Sequence, residues 1–281
     1  MTVDNPHPAP AGPAGRNLPL AIVSGVALAV AFIGSLVLSP WLLLAFIGVL
    51  LLIALFELDR AFREHGLRPG TPVAVGAGFV MFFGSYPDGA SAQTLGLVLL
   101  LFGAMAWALL DRGRTRMAAS LGATMLMAVW VPFLASFIGL LLARPDGRWY
   151  VFLAVLFAVF NDIGAYAVGM RFGRHKMAPT VSPAKSWEGL AGGILAATVV
   201  ALVVAVPLVP DLRAVHAVVL AVGASVAGTL GDLAESMVKR DLGVKDLGSV
   251  LPGHGGIMDR ADAIIFALPM TYLLLDALGV G

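Results

Sequence analysis

Hydrophobic residues in this chain come in long uninterrupted runs, without the alternation of half-buried strands or the one-sided stripes of surface helices. Runs near 18–38, 40–56, 72–87, 92–110, 117–142, 149–170, 189–209, 214–231 and 262–279 hold few or no charges. A run of roughly 18 or more such residues can cross the hydrocarbon of a bilayer as a helix, because a helix satisfies its own backbone polar groups. The pattern predicts an all-α, polytopic integral membrane protein with about nine transmembrane helices. The run at 72–87 is short and opens on Pro72, which makes it the weakest of the nine.

Composition agrees. Apolar residues make up 59% of the chain, charged residues 12%, and the mean hydropathy is +0.92, outside the range of soluble domains. There is no cysteine, so disulfides and thiolate metal sites are excluded. The basic residues add an orientation. With nine spans, the N-terminus and the loops after spans 2, 4, 6 and 8 share one side, and they carry 15 of the 18 Lys and Arg. The other side has Arg144, Arg148 and Arg213. Such a split follows the positive-inside rule, so the N-terminus and those loops are expected in the cytoplasm.

Residues 1–17, rich in Pro, Ala and Gly, read as a disordered cytoplasmic tail. A cleaved signal is the rival reading, but the run after Arg16 is longer than a usual signal core. Residues 18–148 carry few ionisable groups within their runs and read as transmembrane scaffold. Residues 149–281 read as the catalytic region.

The polar residues of that second half form four groups. Asn161 and Asp162 lie inside the sixth run, where a carboxylate is costly unless it faces protein, water or a cation. They can also be a helix-packing pair, helped by Gly164 and Gly169. Next comes Ser182 to Gly189, SPAKSWEG, a loop in which Lys185 and Ser186 offer donors to an anion and Glu188 suits a helix start. Its plainer reading is a cytoplasmic cap with a positive-inside lysine. The densest group is Asp232 to Asp262, with six acids and four bases. If the eighth helix continues, Asp232, Glu235, Ser236 and Lys239 share one face, although Glu235 and Lys239 are also spaced for a simple ion pair. The glycine turn Leu251 to Gly256 could bring backbone amides close to phosphate, with His254 as a donor. Asp259 and Asp262 stand three apart at the mouth of the last run. Acids able to hold a divalent cation, beside bases able to hold phosphate, are what phosphoryl or nucleotidyl transfer requires. A GxxxxGK[ST] phosphate loop, HExxH and GxSxG are all absent.

These residues resemble a known signature. Ser236-x-Val238-Lys239-Arg240-x4-Lys245-Asp246, followed by Leu251-Pro252-Gly253-His254-Gly255-Gly256-Ile257-x-Asp259-Arg260-x-Asp262, is similar to that of the phosphatidate cytidylyltransferases, the CDP-diacylglycerol synthases. Asn161-Asp162, the Ser182–Gly189 stretch and Gly231-Asp232 resemble further family features in the expected order. The resemblance covers 150–281 by motif and the earlier residues by hydropathy and length.

It implies that CTP and phosphatidate react, with magnesium and room for a second cation, to give CDP-diacylglycerol and diphosphate. The lipid phosphate is itself the nucleophile, so the enzyme has only to join two polyanions and neutralise developing charge. On this basis Asp232, Asp259, Lys239 and Arg240 are the expected catalytic residues. Asp232 and Asp259 are the first choice for the metal, with Asp162 and Asp262 second. Ser182, Lys185, Ser186, Glu188, Ser236, Lys245, His254 and Arg260 are the expected substrate contacts. The implied setting is the cell membrane, multi-pass, with membrane lipid around the protein, the site facing the cytoplasm, a homodimer as a compatible assembly and no nucleic acid. Rival readings are a CTP-dependent kinase or cytidylyltransferase of another lipid, such as a polyprenol, and an ion-coupled transporter, which would use Asp162 but leave the basic glycine-rich block without a role.

Overall fold

A computed structural model describes residues 18–110, 116–248, 250 and 255–280. Among them the chain forms nine long helical rods: α1 (Leu18–Leu38), α2 (Pro40–Glu64), α3 (Thr71–Asp88), α4 (Ala90–Leu110), α5 (Met117–Leu142), α6 (Gly147–Phe172), α7 (Trp187–Leu208), α8 (Ala214–Asp241) and α9 (Met258–Ala277). Six of them, α2 and α4 to α8, are long and apolar enough to cross a membrane, and α1 carries a shorter apolar stretch, Ile22–Leu38. Pro72 does not break α3, because it occupies the first turn, where its missing N–H has no partner to lose. Pro132 does fall inside α5, and the rod absorbs it through a π-helical turn at Val129–Phe133.

Several rods run past the apolar segments that define them. α2 continues through Glu64 and α8 through Asp241, so the charged motif after Gly231 rides on rigid helix. The connection between α6 and α7 departs from the all-helical expectation, and from the loop expected at Ser182 to Gly189. Lys176–Ala178 (β1) and Ser182–Ser186 (β2) pair as an antiparallel hairpin, with Lys176 opposite Ser186 and Ala178 opposite Ser182. Pro183 holds this segment extended, and α6 gives way to it at Gly173.

α6 packs along α7, α8 along α9 and α3 along α4. A continuous core built on Leu43, Leu44, Leu58, Leu141, Leu153 and Phe157, all fully buried, ties α2, α5 and α6 together. The outward faces are apolar as well: Val30 and Leu38 of α1 and Phe102 and Leu109 of α4 are exposed. A solvated protein does not present faces of this kind, and a lipid-facing one does.

The bundle has two distinct ends. At one, the C-terminal turns of α2 and α8 meet the N-terminal turn of α9, and Arg116 at the start of α5 donates to the His65 carbonyl beyond α2 (2.9 Å). At the other, Arg144 donates to the Val280 carbonyl (2.8 Å) and lies 3.7 Å from Asp276 near the end of α9. α9 alone is about 30 Å long at 1.5 Å per residue, close to the thickness of a hydrocarbon core.

Candidate active site

The site forms where α8 and α9 cross at the charged end. A Cβ built on Gly231 would lie 2.5 Å from the Asp262 carbonyl oxygen, so only glycine lets the two backbones approach this closely. That approach sets Asp232, at the next position of α8, beside Asp262 of α9. Asp232, Glu235 and Asp262 each offer a carboxylate oxygen, and these oxygens lie within 4.8 Å of one another. Glu235 and Asp262 are buried, Asp232 half-buried. Glu235 Oε1 has no hydrogen-bond partner among the described residues. Three ionised acids this close repel one another, and the repulsion is relieved by a cation or a proton among them.

Two lysines supply part of that charge. Lys239 Nζ reaches Glu235 Oε2 at 2.6 Å and Asp259 Oδ1 at 2.9 Å. Lys185 Nζ, from β2, reaches Asp232 Oδ2 at 2.5 Å. Asp259 also accepts the backbone N–H of Leu247 (3.1 Å) and of Gly256 (3.0 Å), so its carboxylate fixes both ends of the segment entering α9. This contact back to the amide ahead of the helix resembles one half of a capping box.

A cleft of about 320 Å³ opens beside the cluster, between α6, the hairpin, α7 and α8. Asp162, Lys185, Ser186 and Asp232 line it together with Asn161 and Thr229. Asn161 is buried and donates to Thr229 Oγ1 (3.3 Å), which braces α6 against α8 below the cleft. Ser186 caps α7, its hydroxyl accepting from the Gly189 N–H (3.1 Å).

The residues singled out in the sequence are thus distributed unevenly. Asp232, Asp262, Lys185 and Lys239 converge at the cluster, and Asp162 and Ser186 line the adjoining cleft. Ser236 lies within 3.4 Å of Asp232 on the same helix face. Asp259 is turned to Lys239 and two amides, outside the three-acid group. Glu188 binds His175 Nδ1 at 2.5 Å and accepts the backbone N–H groups of Arg174 and His175, closing the start of the hairpin connection without lining the cleft. Arg240 is exposed and its Nε donates to the Val181 carbonyl (3.2 Å), tying α8 to the hairpin. Ser182 opens β2, Lys245 is exposed beyond α8, and Arg260 is exposed in the first turn of α9. His254 lies outside the described residues.

Glu235 was legible in the sequence as a salt-bridge partner but not as a member of the acid cluster. Glu57 was not legible as part of the site at all. It stands at the charged end of α2, is 6% exposed, and accepts the N–H of Ile257 and of Met258, each at 3.1 Å. These amides open α9 and have no partner within the helix, so a carboxylate 200 residues away supplies the missing acceptor. Gly256 admits it: a Cβ there would lie 2.6 Å from Glu57 Oε2. The only signal in the sequence is an acid at the end of an apolar run.

Comparison with known proteins places this geometry. The profile of the cytidylyltransferase family matches residues 20–278. A phosphatidate cytidylyltransferase from Mycobacterium bovis is 38% identical over 278 residues, covering 94% of this chain and 90% of the relative. One from Mycobacterium leprae is 34% identical over 284 residues, covering 94% and 89%. A staphylococcal relative, from Staphylococcus haemolyticus, reaches 42% identity over a shorter stretch of 132 residues, 47% of this chain and 51% of its own. With the profile matched from α1 to the end of α9, and identity sustained along nearly the whole length, the chain belongs to the cytidylyltransferase family that includes the phosphatidate cytidylyltransferases.

Proposed function

We propose that this protein transfers the cytidylyl group of CTP to phosphatidate, giving CDP-diacylglycerol and diphosphate. The observation that carries the reading is the group of Asp232, Glu235 and Asp262, flanked by Lys185 and Lys239 and opening onto a cleft. In the reaction a phosphate oxygen of the lipid forms a bond to the α-phosphorus of CTP. The bond from that phosphorus to the β-phosphate bridging oxygen breaks, and diphosphate leaves. No side-chain nucleophile is needed.

The three carboxylates fit a hard divalent cation such as magnesium, since all their donors are oxygen and the buried Glu235 Oε1 has no hydrogen-bond partner among the described residues. Bound there, magnesium would neutralise charge on the reacting phosphates. The chain's own groups do the rest. Lys185, at the cleft wall, holds phosphate against the acid cluster, and Asp162 faces the same space. Lys239 keeps Glu235 and Asp259 in place, and Asp259 holds the segment leading into α9. Arg240, Lys245 and Arg260 give the rim a positive field that gathers two polyanions.

The same reading sets the protein in the cell membrane with nine spans, its N-terminus and this site on the cytoplasmic side, where CTP is found. The 15 to 3 division of Lys and Arg supports that orientation. The decisive experiment is incubation of the purified protein with CTP, phosphatidate and magnesium, with diphosphate and the liponucleotide both measured. Release of both in equal amounts is expected. Label from CTP appearing on another lipid, or phosphorylation of the lipid without cytidine, would overturn the reading.

A further inference from the structure

On the face of α9 turned away from the acid cluster lies a second cavity, of about 450 Å³, walled by α1, α2, α5, α6 and α9. Its lining is hydrocarbon throughout, represented by Phe32, Leu50, Leu156 and Ile264, with one exception: Arg260. Arg260 stands in the first turn of α9, at the same end of the bundle as Glu57 and Asp259. From Ile257 down to Leu268 the groove follows α9 for about 16 Å at 1.5 Å per residue. That is about half of a roughly 30 Å hydrocarbon core, the depth of a single leaflet. The groove also adjoins the cleft. Val159 of α6 lines the one and Asp162, three residues on, lines the other.

We propose that this groove holds one acyl chain of the lipid substrate, with the lipid phosphate at the level of Arg260 and the acid cluster. The inference rests on the proposed reaction and adds where the lipid lies. Three properties select this occupant over a protein segment. Among the described residues the wall offers no hydrogen-bonding side chain below Arg260, so it suits a chain without polar atoms. The single cation sits at the end where an anionic headgroup belongs. The depth matches one leaflet, so a lipid slides in from the bilayer without changing level. Ile33 and Val159, both partly exposed on the rim, leave that side open.

Small groove-lining residues provide the test. Ala261→Phe on α9 and Ala29→Phe on α1 each put a ring into the groove, the second at an exposed position where folding is least at risk. Initial rates are measured with dioleoyl and with dihexanoyl phosphatidate. The expected result is a fall of about tenfold in kcat/KM for the long-chain lipid relative to the short-chain one, the scale on which pocket contacts discriminate apolar groups. An unchanged ratio in a variant that turns over the short lipid would overturn the groove assignment while leaving the reaction intact. Failure of the unaltered protein to release diphosphate with either lipid would instead count against the reaction. A readout independent of turnover is labelling by phosphatidate with a photoreactive diazirine on its acyl chain. Label on α1, α2, α5, α6 or α9, suppressed by excess dioleoyl phosphatidate, is expected. Label elsewhere, or label on a second copy of the chain, would overturn the assignment.

Discussion

At the scale of single residues, Lys239 governs the electrostatics of the site. It is 16% exposed and bonds two carboxylates that are 1% and 3% exposed, so neither has water as an alternative partner. Removing one member of such a buried group costs about 3–5 kcal/mol, because the remaining charges are left without compensation. Lys239→Met should therefore lower the thermal midpoint of the detergent-purified protein by several degrees and abolish turnover. The acids of the cluster behave in the opposite way. Asp232→Asn and Asp262→Asn each remove one of three crowded negative charges, so stability should be unchanged or slightly higher, while turnover falls by ~100-fold or more. Melting curves with and without magnesium distinguish the cases. The unaltered protein should gain stability from the ion, and these two variants should lose that gain. Near-normal activity at saturating magnesium would remove the altered residue from the site.

At the scale of elements, the start of α9 depends on α2. Glu57→Gln keeps the shape of the side chain but replaces one acceptor oxygen with an amide that faces an N–H, at a cost of about 1–3 kcal/mol. Hydrogen exchange should then speed up at the amides of Ile257 and Met258, with turnover reduced because Asp259 and Asp262 sit on the same first turns. Gly256→Ala should act in the same direction, since its methyl would meet the Glu57 carboxylate. These elements also mark what a linear reading can reach. The rods were legible because apolar runs of this length have one solution in a bilayer, and the Asp232, Glu235, Lys239 face was legible because helical spacing is local. The convergence of Asp232 with Asp262 was not, since it depends on how closely α8 and α9 pack at Gly231. Nor was the hairpin, whose five-residue strand has no apolar alternation to declare it. Nor does the sequence tell which acids share one space: the structure turns Asp259 to Lys239 and two backbone amides, and sets Glu235 with Asp232 and Asp262.

At the scale of the whole molecule, nine spans put the hairpin and the far end of α9 on opposite sides of the membrane. Ser182→Cys, in the hairpin, should react with a membrane-impermeant thiol reagent only from the cytoplasmic side, and Ala277→Cys, at the far end of α9, only from outside. The chain has no native cysteine, so each label reports one position. Reaction of both from the same side would mean an even number of crossings after the hairpin and would refute the nine-span arrangement. The burial of Glu57 has a consequence in time as well as in space. α2 emerges from the ribosome long before α9, separated by the 200 residues between Glu57 and Ile257. During synthesis it therefore carries a carboxylate built for amides that do not yet exist, and contacts so distant in sequence form late. The acid cluster can assemble only after α9 has been made and has docked on α8 and α2, so the active site closes long after the helix that anchors it has entered the bilayer.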